Sequence, residues 1–335
     1  MAESGLIASV VIPAYNAASA VSACLKALAD QSISRERYEI VVVDDGSQDA
    51  TRQKVARLGA RLLSQPHKGP AAARNLGARE SRGEIVLFTD ADCVPASDWI
   101  ETMLAPFADD QIAGAKGVYR THQKELVARF VQLEYEDKYD LMRKERYIDF
   151  VDTYAAAYRK EVFNNNEGFD PAFPRASGED VEYSYRLAER GYKMVLVPQA
   201  IVYHHHVDSL LDYLKRKFHV GYWRVLMYRK HPGKIWKDSH TPQSLKLQLI
   251  LAALCVALLP ILPFLPWLAV WGLGASLILF LVSSLPFLVK CFKKDPQVGL
   301  VALPLLLVRA LALGIGFLAG VMSQPYFALR GHLKR

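Results

Sequence analysis

The run from Leu249 to Val289 contains no charged residue. The hydrocarbon core of a bilayer is about 30 Å thick, and a helix of about 20 apolar residues crosses it. The run is therefore long enough to cross a membrane twice, and Pro260, Pro263 and Pro266 predict a break between the two spans. The alternative is a buried helical hairpin of a soluble protein, but core helices rarely extend so far without a charge. The sequence thus predicts a membrane hairpin.

A second charge-poor stretch, Leu300 to Val321, contains only Arg309 and is long enough for one more crossing. Lysines precede the first predicted span and follow the second, which favours a hairpin with both ends in the cytoplasm. A third crossing would place the basic residues near the C-terminus outside, against this tendency. A re-entrant or tilted segment, broken near Pro304 and Gly314, would avoid that conflict, and both topologies stay open. The basic residues concerned are Arg330, Lys334 and Arg335.

The residues before about 240 mix charged and apolar side chains, as a soluble α/β domain does. Met1 to Gly5 is short and polar and leads into a strand-like run, so no secretory signal peptide is indicated. The four cysteines are scattered and form no disulfide framework, which is typical of a reducing compartment. We therefore predict a multi-pass protein of the inner (plasma) membrane whose N-terminal domain lies in the cytoplasm.

Four apolar or β-branched runs near the N-terminus alternate with segments of helical spacing. The runs are Leu6 to Ile12, Tyr38 to Val43, Ala60 to Leu63 and Glu84 to Thr89. The helical segments are Ala18 to Asp30, Asp49 to Leu58 and Pro70 to Glu80. Strands that alternate with helices of this length predict right-handed βαβ units and a mostly parallel, Rossmann-like sheet covered on both faces.

Beyond Pro106 the pattern is mixed. It predicts an amphipathic helix, then a strand, a helix and two further strands, at Lys124 to Arg146, Val151 to Tyr158, Glu179 to Arg190, Met194 to Val197 and Ala200 to Tyr203. From Val207 to Lys230 apolar residues recur with helical period and basic residues accompany them. Such a stretch suits a helix that lies in the membrane interface near anionic headgroups, with a solvated charged helix as the alternative. Gly316 and Gly320 favour helix packing over dimerisation.

Polar clusters follow the predicted strands, where ligands of such sheets gather. They are Pro13-Ala14-Tyr15-Asn16, Asp44-Asp45-Gly46-Ser47 and Asp90-Ala91-Asp92. The carboxylates of Asp90 and Asp92 suit a hard divalent cation, which prefers oxygen ligands. Turn formation is the alternative, because aspartate side chains bond to nearby backbone groups.

Two further clusters, later in the chain, contain residues that could act as a catalytic base or as metal ligands. Glu179 and Asp180 follow Gly178 at a predicted helix start, where acids either cap free N–H groups or serve as a positioned base. His204 to His206 end a predicted strand, and neutral imidazole binds divalent ions. Adjacent histidines point to alternating sides, so at most two of them could serve, and a polar strand end is the alternative.

Five motifs therefore occur in a fixed order. They are Val11-Ile12-Pro13-Ala14-Tyr15-Asn16, Val43-Asp44-Asp45-Gly46-Ser47, the run from Lys68-Gly69-Pro70 to Arg74-Asn75-Leu76-Gly77, Asp90-Ala91-Asp92, and Gly178-Glu179-Asp180. This series resembles that of family 2 glycosyltransferases with the GT-A fold, over about residues 6 to 206. Each motif alone is loose, but the order and spacing of all five are very specific.

The resemblance implies a role for each matching residue on the donor side. Pro13, Tyr15 and Asn16 would line the nucleotide pocket, and Asp45 would hold the base or the ribose. The loop and helix that shape the donor site, and the acid that contacts the ribose or sugar, would come from Lys68, Gly69, Arg74 and Asp90.

The resemblance also implies the catalytic and metal-binding residues. Asp92 would bind Mg²⁺ or Mn²⁺, and His204 or His206 would lie near the diphosphate as a further metal ligand. Asp180 would be the catalytic base, with Glu179 beside it. In-line attack by the activated hydroxyl would invert the anomeric centre, so an α-linked donor would give a β-linked product.

The implied architecture is a GT-A catalytic domain at 1–206, a basic amphipathic interfacial segment at 207–240, and a membrane domain at 241–335 with two or three transmembrane helices. The implied activity is transfer from a nucleotide-diphosphate sugar, with a uridine diphosphate donor favoured. The acceptor would be a hydroxyl of a glycan or of a lipid-linked molecule, as in polysaccharide, glycolipid or cell-envelope biosynthesis. Membrane lipids are expected partners, and nucleic acid is not.

Other classes fit less well. A processive synthase-exporter usually has more spans and a Gln-x-x-Arg-Trp segment, whereas this chain has Gly221-Tyr222-Trp223-Arg224. A sugar nucleotidyltransferase should open with a glycine-rich phosphate loop, and a dinucleotide-dependent enzyme with G-x-G-x-x-G after the first strand. A catalytically inactive membrane scaffold of the same fold should have lost one of the acidic motifs, and all of them are present.

Overall fold

The computed structural model describes the backbone of residues 5–173 and 178–332 and the side chains up to Ser323. These residues form two compact units. The first contains the residues up to His122, Tyr139–His205 and Asp238–His240, and the second contains Gln123–Lys138, His206–Lys237 and the residues from Thr241 onward. Residues 123–138 thus pack in the second unit, although they fall within the predicted domain 1–206. Met1–Ser4, Lys334 and Arg335, which entered the sequence predictions, lie outside the described residues.

The first unit is built on a mixed sheet of eight strands with the order β3-β2-β1-β4-β7-β6-β8-β5. In chain order the strands are β1 (Ala8–Ala14), β2 (Tyr38–Asp44), β3 (Arg61–Ser64), β4 (Ile85–Phe88), β5 (Cys93–Pro95), β6 (Ile112–Arg120), β7 (Ala156–Arg159) and β8 (Lys193–His204). β1 pairs in parallel with β2 and β4, and β2 with β3, so the predicted Rossmann-like half is confirmed. The remaining strands mix directions, because β7 runs antiparallel to both β4 and β6.

The helices alternate with these strands and continue into the second unit. In chain order they are α1 (Val21–Ala29), α2 (Thr51–Arg57), α3 (Pro70–Glu80), α4 (Trp99–Leu104), α5 (Leu126–Met142), α6 (Lys160–Asn165), α7 (Glu179–Glu189), α8 (Leu210–Lys230), α9 (Gln243–Leu258), α10 (Pro266–Lys294) and α11 (Pro296–His332). The predicted bounds of α3 are confirmed. The strand predicted from Val151 begins only at Ala156, because Thr153–Ala155 form a 3₁₀ turn.

The carboxyl ends of β1, β2 and β4 lie at one edge of the sheet, since Ala14 pairs with Asp44 and Val11 with Phe88. Helix α3 packs closely on this part of the sheet through Gly77. A Cβ atom at that position would lie 2.3 Å from Cγ1 of Val11, which only glycine avoids. The sheet therefore brings the polar clusters after β1, β2 and β4 together, with α3 beside them.

Within the part of the chain that the structure describes, three helices of the second unit are long and apolar enough to cross a membrane. They are Gln243–Ile261, Pro266–Lys294 and Pro296–Ser323, with mean hydropathies of 2.1, 2.1 and 2.3. A 3₁₀ turn at Leu259–Ile261 precedes α10, so the break predicted at the prolines is confirmed.

The break near Pro304 and Gly314 that belonged to one of the two open topologies does not occur, because α11 continues through both residues. A proline inside a helix removes one backbone hydrogen bond. The residues that follow it, Leu305 and Leu306, are buried in the core of the second unit. Their packing holds the helix together where its own hydrogen bonding is interrupted.

Candidate active site

A cavity of about 480 Å³ opens at the strand edge of the first unit. Four of the five sequence motifs contribute to its wall. The lining residues are Pro13 to Ala17, Ser19, Ala20, Asp45, His67, Pro70, Arg74 and Asp90 to Asp92. The strand topology explains this convergence, because parallel neighbours end at the same edge of the sheet.

The turn after β1 is held to the loop after β2 by Asn16. This residue has a left-handed backbone with φ of 48°, a conformation that asparagine tolerates better than most residues. Its backbone N–H donates to Oγ of Ser47 at 2.9 Å, and its Oδ1 accepts from the backbone N–H of Gln48 at 2.9 Å. Asn16 therefore fixes the shape of the cavity wall, while Pro13 precedes it in β1 and lines the same cavity.

Asp45 is buried, and its carboxylate organises the loop that leads into α3. Oδ1 accepts from the backbone N–H of Lys68 at 2.9 Å and from Nε2 of Gln65 at 2.7 Å. Oδ2 accepts from the backbone N–H of Gly69 at 2.9 Å. Gly69 has φ of 91°, which favours glycine, and the side chain of Lys68 is exposed. The motif after β2 thus positions the motif at the start of α3.

Tyr15 and His67 form a flat aromatic surface on the cavity wall. Their rings stack with centroids 4.2 Å apart, and Tyr15 is 47% exposed. Nδ1 of His67 lies 2.8 Å from Oδ2 of Asp45, which holds the imidazole in place. An exposed aromatic face beside a carboxylate can stack on a planar heterocycle and bond to its edge.

Arg74 joins two motifs that are far apart in the sequence. Only 2% of its side chain is exposed. Nη2 donates to Oδ1 of Asp90 at 2.6 Å, and Nη1 donates to Oε1 of the buried Glu179 at 3.0 Å. One guanidinium therefore bridges the acid after β4 and the start of α7, and it neutralises charge on both sides.

Asp92 presents the most accessible carboxylate of the motif after β4, with 59% of its side chain exposed. Nε2 of His204 lies 3.6 Å from its Oδ2, and hydrogen bonding to this ring lowers the pKa of Asp92. Among the described residues, one cluster could supply three ligands to a metal ion, namely Asp90, Asp92 and Cys93. Burial raises the pKa of the Cys93 thiol well above its usual value, so the carboxylates are the better donors for a hard cation.

His206 lies in the second unit. Its Nε2 atom is 3.1 Å from Oε1 of Gln132, and its ring stacks on Tyr135 with centroids 5.4 Å apart. These contacts hold the segment after β8 to α5. Of the two histidines proposed as metal ligands from the sequence, His204 is the one that the structure brings beside Asp92.

Asp180 lies in an environment that disfavours its charged form. Burial raises its pKa to about 8, with repulsion from Glu179 and Asp152 adding to the effect and Arg74 opposing it. Its Oδ1 accepts from the backbone N–H of Val181 at 2.9 Å. The ionised fraction of a carboxyl group with such a pKa grows as the pH rises from neutral toward 8, and this ionised form can act as a general base.

Three residues near the site, namely Lys116, Asp152 and His67, were not identified from the sequence. The fully buried Lys116 of β6 forms an ion pair with Asp152, and its Nζ donates to the hydroxyl of Tyr154 at 3.1 Å. A lysine inside the apolar run of Ile112–Arg120 was the available signal for this pair. His67 directly precedes a motif that was recognised, but a single histidine in a loop carries little information by itself.

The fold is the GT-A fold, and its cavity gathers the acidic motifs that follow β2 and β4. Residues 9–166 match the model of the family described as glycosyl transferase family 2, so the chain carries a domain of that family.

Two relatives and one solved structure agree with this assignment. Over 238 residues the chain is 31% identical to the pre-mycofactocin glycosyltransferase of Mycobacterium tuberculosis, which covers 68% of this chain and 48% of that protein. The chain thus spans about half the length of that relative. It is 26% identical to glycosyltransferase AglE of Haloferax volcanii over 236 residues, 66% of this chain and 73% of AglE.

The solved structure is that of the mannosyltransferase PcManGT from Pyrobaculum calidifontis in complex with GDP-Man and Mn²⁺. The TM-score is 0.58 at 20% identity, and the match covers 92% of this chain and 86% of that one. At this identity the likeness shows the fold, and the bound molecules describe that protein.

Proposed function

We propose that the protein is a membrane-anchored, metal-dependent, inverting glycosyltransferase. It moves a sugar from a nucleotide-diphosphate sugar to a hydroxyl of a glycan or lipid-linked acceptor. One observation carries the proposal: Arg74 bonds to both Asp90 and Glu179, and so connects the cavity wall to the residue beside Asp180. A carboxylate base next to a site for an anionic leaving group is what sugar transfer requires.

Each part of the site has a task in this proposal. Tyr15 and His67 stack on the nucleotide base, and the loop that Asp45 holds shapes the pocket around it. Asp180 accepts the proton of the acceptor hydroxyl as that oxygen attacks the anomeric carbon. Arg74 holds Glu179 and Asp90 in place, so that the base and the donor keep a fixed separation.

The residues present fit a divalent cation. Asp92 offers an accessible carboxylate and Asp90 lies beside it, with one of its oxygens bonded to Arg74. His204 neighbours Asp92 and could add a nitrogen ligand. A bound Mg²⁺ or Mn²⁺ would neutralise the charge that develops on the departing diphosphate. The Pyrobaculum neighbour, which was solved with Mn²⁺, supports this part of the proposal.

Asp92→Asn should lower kcat/KM by about 10²- to 10³-fold, because a neutral amide holds a hard cation poorly beside the developing diphosphate charge. The loss should be smaller at high Mn²⁺ concentration. Asp98→Asn is the matched control, since Asp98 is also exposed and makes no capping hydrogen bond at the start of α4. Transfer by Asp92→Asn at the rate of Asp98→Asn, with an unchanged Mn²⁺ titration, would refute the metal-binding role.

The pH dependence of kcat/KM should follow the Asp180 carboxyl. The ionised form is the base and its pKa is about 8, so kcat/KM should rise about tenfold per pH unit up to that value and then level off. The profile is measured in steady state from pH 6 to 9.5 with saturating Mn²⁺. A flat profile over this range would exclude a base with the pKa of Asp180.

The donor and the stereochemistry can be determined together. Purified protein is incubated with UDP- and GDP-sugars and a membrane lipid extract, and nucleotide release is followed. We expect release with one donor class and dependence on added extract, with the uridine diphosphate donors tested first. Proton coupling at the anomeric carbon of the product then reports the linkage. An α-linked product from an α-linked donor would contradict inversion.

The location forms part of the proposal. The proposed arrangement consists of a catalytic domain over residues 1–206, an interfacial segment over 207–240 and a membrane domain over 241–335, with the active site on the cytoplasmic side of the inner membrane. The apolar helices after residue 242 support membrane anchoring. The four cysteines, which are free in the structure, are consistent with a reducing compartment.

A further inference from the structure

Helices α8 and α11 of the second unit pack side by side through glycines. A Cβ atom at Gly316 would lie 2.0 Å from the carbonyl oxygen of Phe218, and one at Gly320 would lie 2.5 Å from that of Tyr222. Both contact pairs advance by four residues, so the helices run in the same direction. Small residues at such positions let two backbones approach closely. The two helices therefore share their orientation relative to any membrane.

The charges of α8 show what that orientation is. Lys215 and Arg216 are exposed near its start, and Arg229 and Lys230 are exposed at its end. Fourteen residues separate Arg216 from Lys230, which is ~21 Å along a helix. A helix crossing a core of ~30 Å would hold at least one of these pairs in hydrocarbon, where a charged side chain is strongly unfavourable. Helix α8 is thus suited to the membrane surface.

A buried polar network connects α11 to α8 and to the other helices of the second unit. Nη1 of Arg309 donates to Oε1 of Glu134 at 2.8 Å, and Nη2 donates to Oε1 of Gln248 at 2.7 Å. Nζ of Lys217 lies 2.9 Å from the other oxygen of Glu134, and Nε2 of Gln248 donates to Oγ of Ser284 at 3.0 Å. The network therefore joins α5, α8, α9, α10 and α11.

The positions of these partners along their helices indicate a shallow depth. Gln248 lies two residues after Lys246, ~3 Å along α9, and Ser284 lies six residues before Lys290, ~9 Å along α10. Arg309 lies thirteen residues after Pro296, ~20 Å along α11. Counted from the turn between α10 and α11, Ser284 lies ten residues before Lys294, ~15 Å along α10, so Arg309 and the hairpin residues lie at similar distances from that turn. The inclination of α11 follows instead from its parallel packing on α8, which is suited to the membrane surface.

The face of α11 opposite its glycines is apolar and exposed. The exposed fractions of Leu300, Ile315, Leu318 and Met322 are 75%, 59%, 62% and 80%. At 100° per residue these side chains project to one side of the helix, and Gly316 and Gly320 project to the other. The α8–α11 pair thus has a basic side and an apolar side, as surface-bound amphipathic structures have.

We propose that the α8–α11 pair lies within one leaflet of the bilayer and that α11 does not cross it. The apolar face of α11 enters the acyl chains, and the basic residues of α8 face anionic headgroups. Only the α9–α10 hairpin crosses the membrane, so the C-terminal end of α11 is on the same side as the glycosyltransferase domain. The proposal rests on the second unit being a membrane domain and does not depend on sugar transfer.

Sidedness tests the proposal directly. One epitope tag is placed before Met1 and a different one after Arg335 in the full chain. Right-side-out vesicles and inside-out vesicles are prepared separately, sealed and treated with protease. We expect both tags to be cleaved in the same vesicles, because the hairpin crosses twice. Cleavage of the two tags in vesicles of opposite orientation would show a third crossing and would overturn the proposal.

The depth of α11 in the bilayer provides a second test of the proposal. Leu300→Cys or Leu318→Cys is introduced into a chain in which Cys24, Cys93, Cys255 and Cys291 are serine, and a nitroxide label is attached. The two positions are ~27 Å apart along α11. Oxygen and nickel-chelate collision rates in vesicles containing anionic lipid should place both labels at similar shallow depths. Depths that differ by ~20 Å or more would show a spanning helix.

The glycine contact has a matched control within α11. Gly316→Leu should separate the pair, because a side chain there meets the backbone of Phe218. Gly314→Leu makes the same change where nothing lies within 4 Å of the new Cβ atom. We expect a lower Tm in detergent and a deeper Leu318→Cys label for Gly316→Leu alone. Equal behaviour of the two variants would show that the pair does not hold α11 in place.

Discussion

Replacing Asp180 with asparagine is expected to lower kcat by about 10²- to 10⁴-fold, because an amide cannot accept the proton of the acceptor hydroxyl. The variant should still bind donor, since Asp180 does not line the cavity described by Tyr15, Asp45 and Asp92. The measurements are transfer rate at saturating donor and donor affinity by titration. A variant that retains the wild-type rate would remove Asp180 as the base.

The same substitution should make the protein more stable at pH 8. The pKa of Asp180 is about 8 in the folded chain and 3.8 when unperturbed, so the folded state binds the proton more tightly. The proton that Asp180 holds in the folded state therefore stabilises the fold. This stabilisation is fully present below pH 4 and is lost as the pH rises through 8. Asp180→Asn has no such loss, and its Tm should exceed that of the wild type at pH 8 by more than at pH 5.

Glu182→Gln is the control on the same helix. Glu182 pairs with Arg186 at 2.7 Å and is outside the cavity lining. Its replacement should lower Tm and leave kcat near the wild-type value, the reverse of the result for Asp180→Asn. An Asp180→Asn variant with the wild-type dependence of Tm on pH would show that another group titrates in this range.

Arg74→Ala is expected to destabilise the first unit by about 3–5 kcal/mol, because it leaves the buried Glu179 without its cation. Asp90 loses its partner at the same time. For a domain of this size the loss corresponds to a fall in Tm on the order of 10 °C. Arg74→Lys should recover only part of the loss, since an ammonium cannot reach both carboxylates in the geometry of the guanidinium.

The matched control for Arg74 is Arg79→Ala, five residues further along α3. Arg79 is exposed, and its Nε atom lies 3.9 Å from Oε1 of Glu80. Surface pairs of this kind contribute 0–1 kcal/mol at most, so Tm should hardly change. Thermal unfolding in one detergent compares the variants. An Arg74→Ala protein as stable as Arg79→Ala would show that the bridge contributes little to the fold.

The parts of the site that the sequence predicts are those fixed by strand order. Asp45 and Asp92 follow buried strands, and parallel strands bring their carboxyl ends to one edge of the sheet. The bond between Arg74 and Glu179 could not be predicted in this way. It joins residues 105 positions apart, and its geometry depends on how α3 and α7 pack.

Other features that the sequence did not predict depend on local packing and on single contacts. Lys116 was overlooked, although a charge inside the apolar run of β6 required a partner such as Asp152. The break near Pro304, which one of the two open topologies contained, could not be decided from the sequence, because packing of Leu306 in the core keeps α11 continuous there. The direction of His206 depends on Gln132 of α5, which no spacing rule connects to it.

The contact between α8 and α11 also sets an order of assembly during synthesis. Gly221 of α8 leaves the ribosome more than ninety residues before Gly316, a delay of roughly 5–20 s at 5–20 residues per second. The α9–α10 hairpin is made within this interval, while Glu134 has Lys217 but not yet Arg309 as a partner. Of the five helices that the network joins, α11 is thus made after the other four. A chain that stops before it leaves uncovered the face of α8 that carries Phe218 and Tyr222.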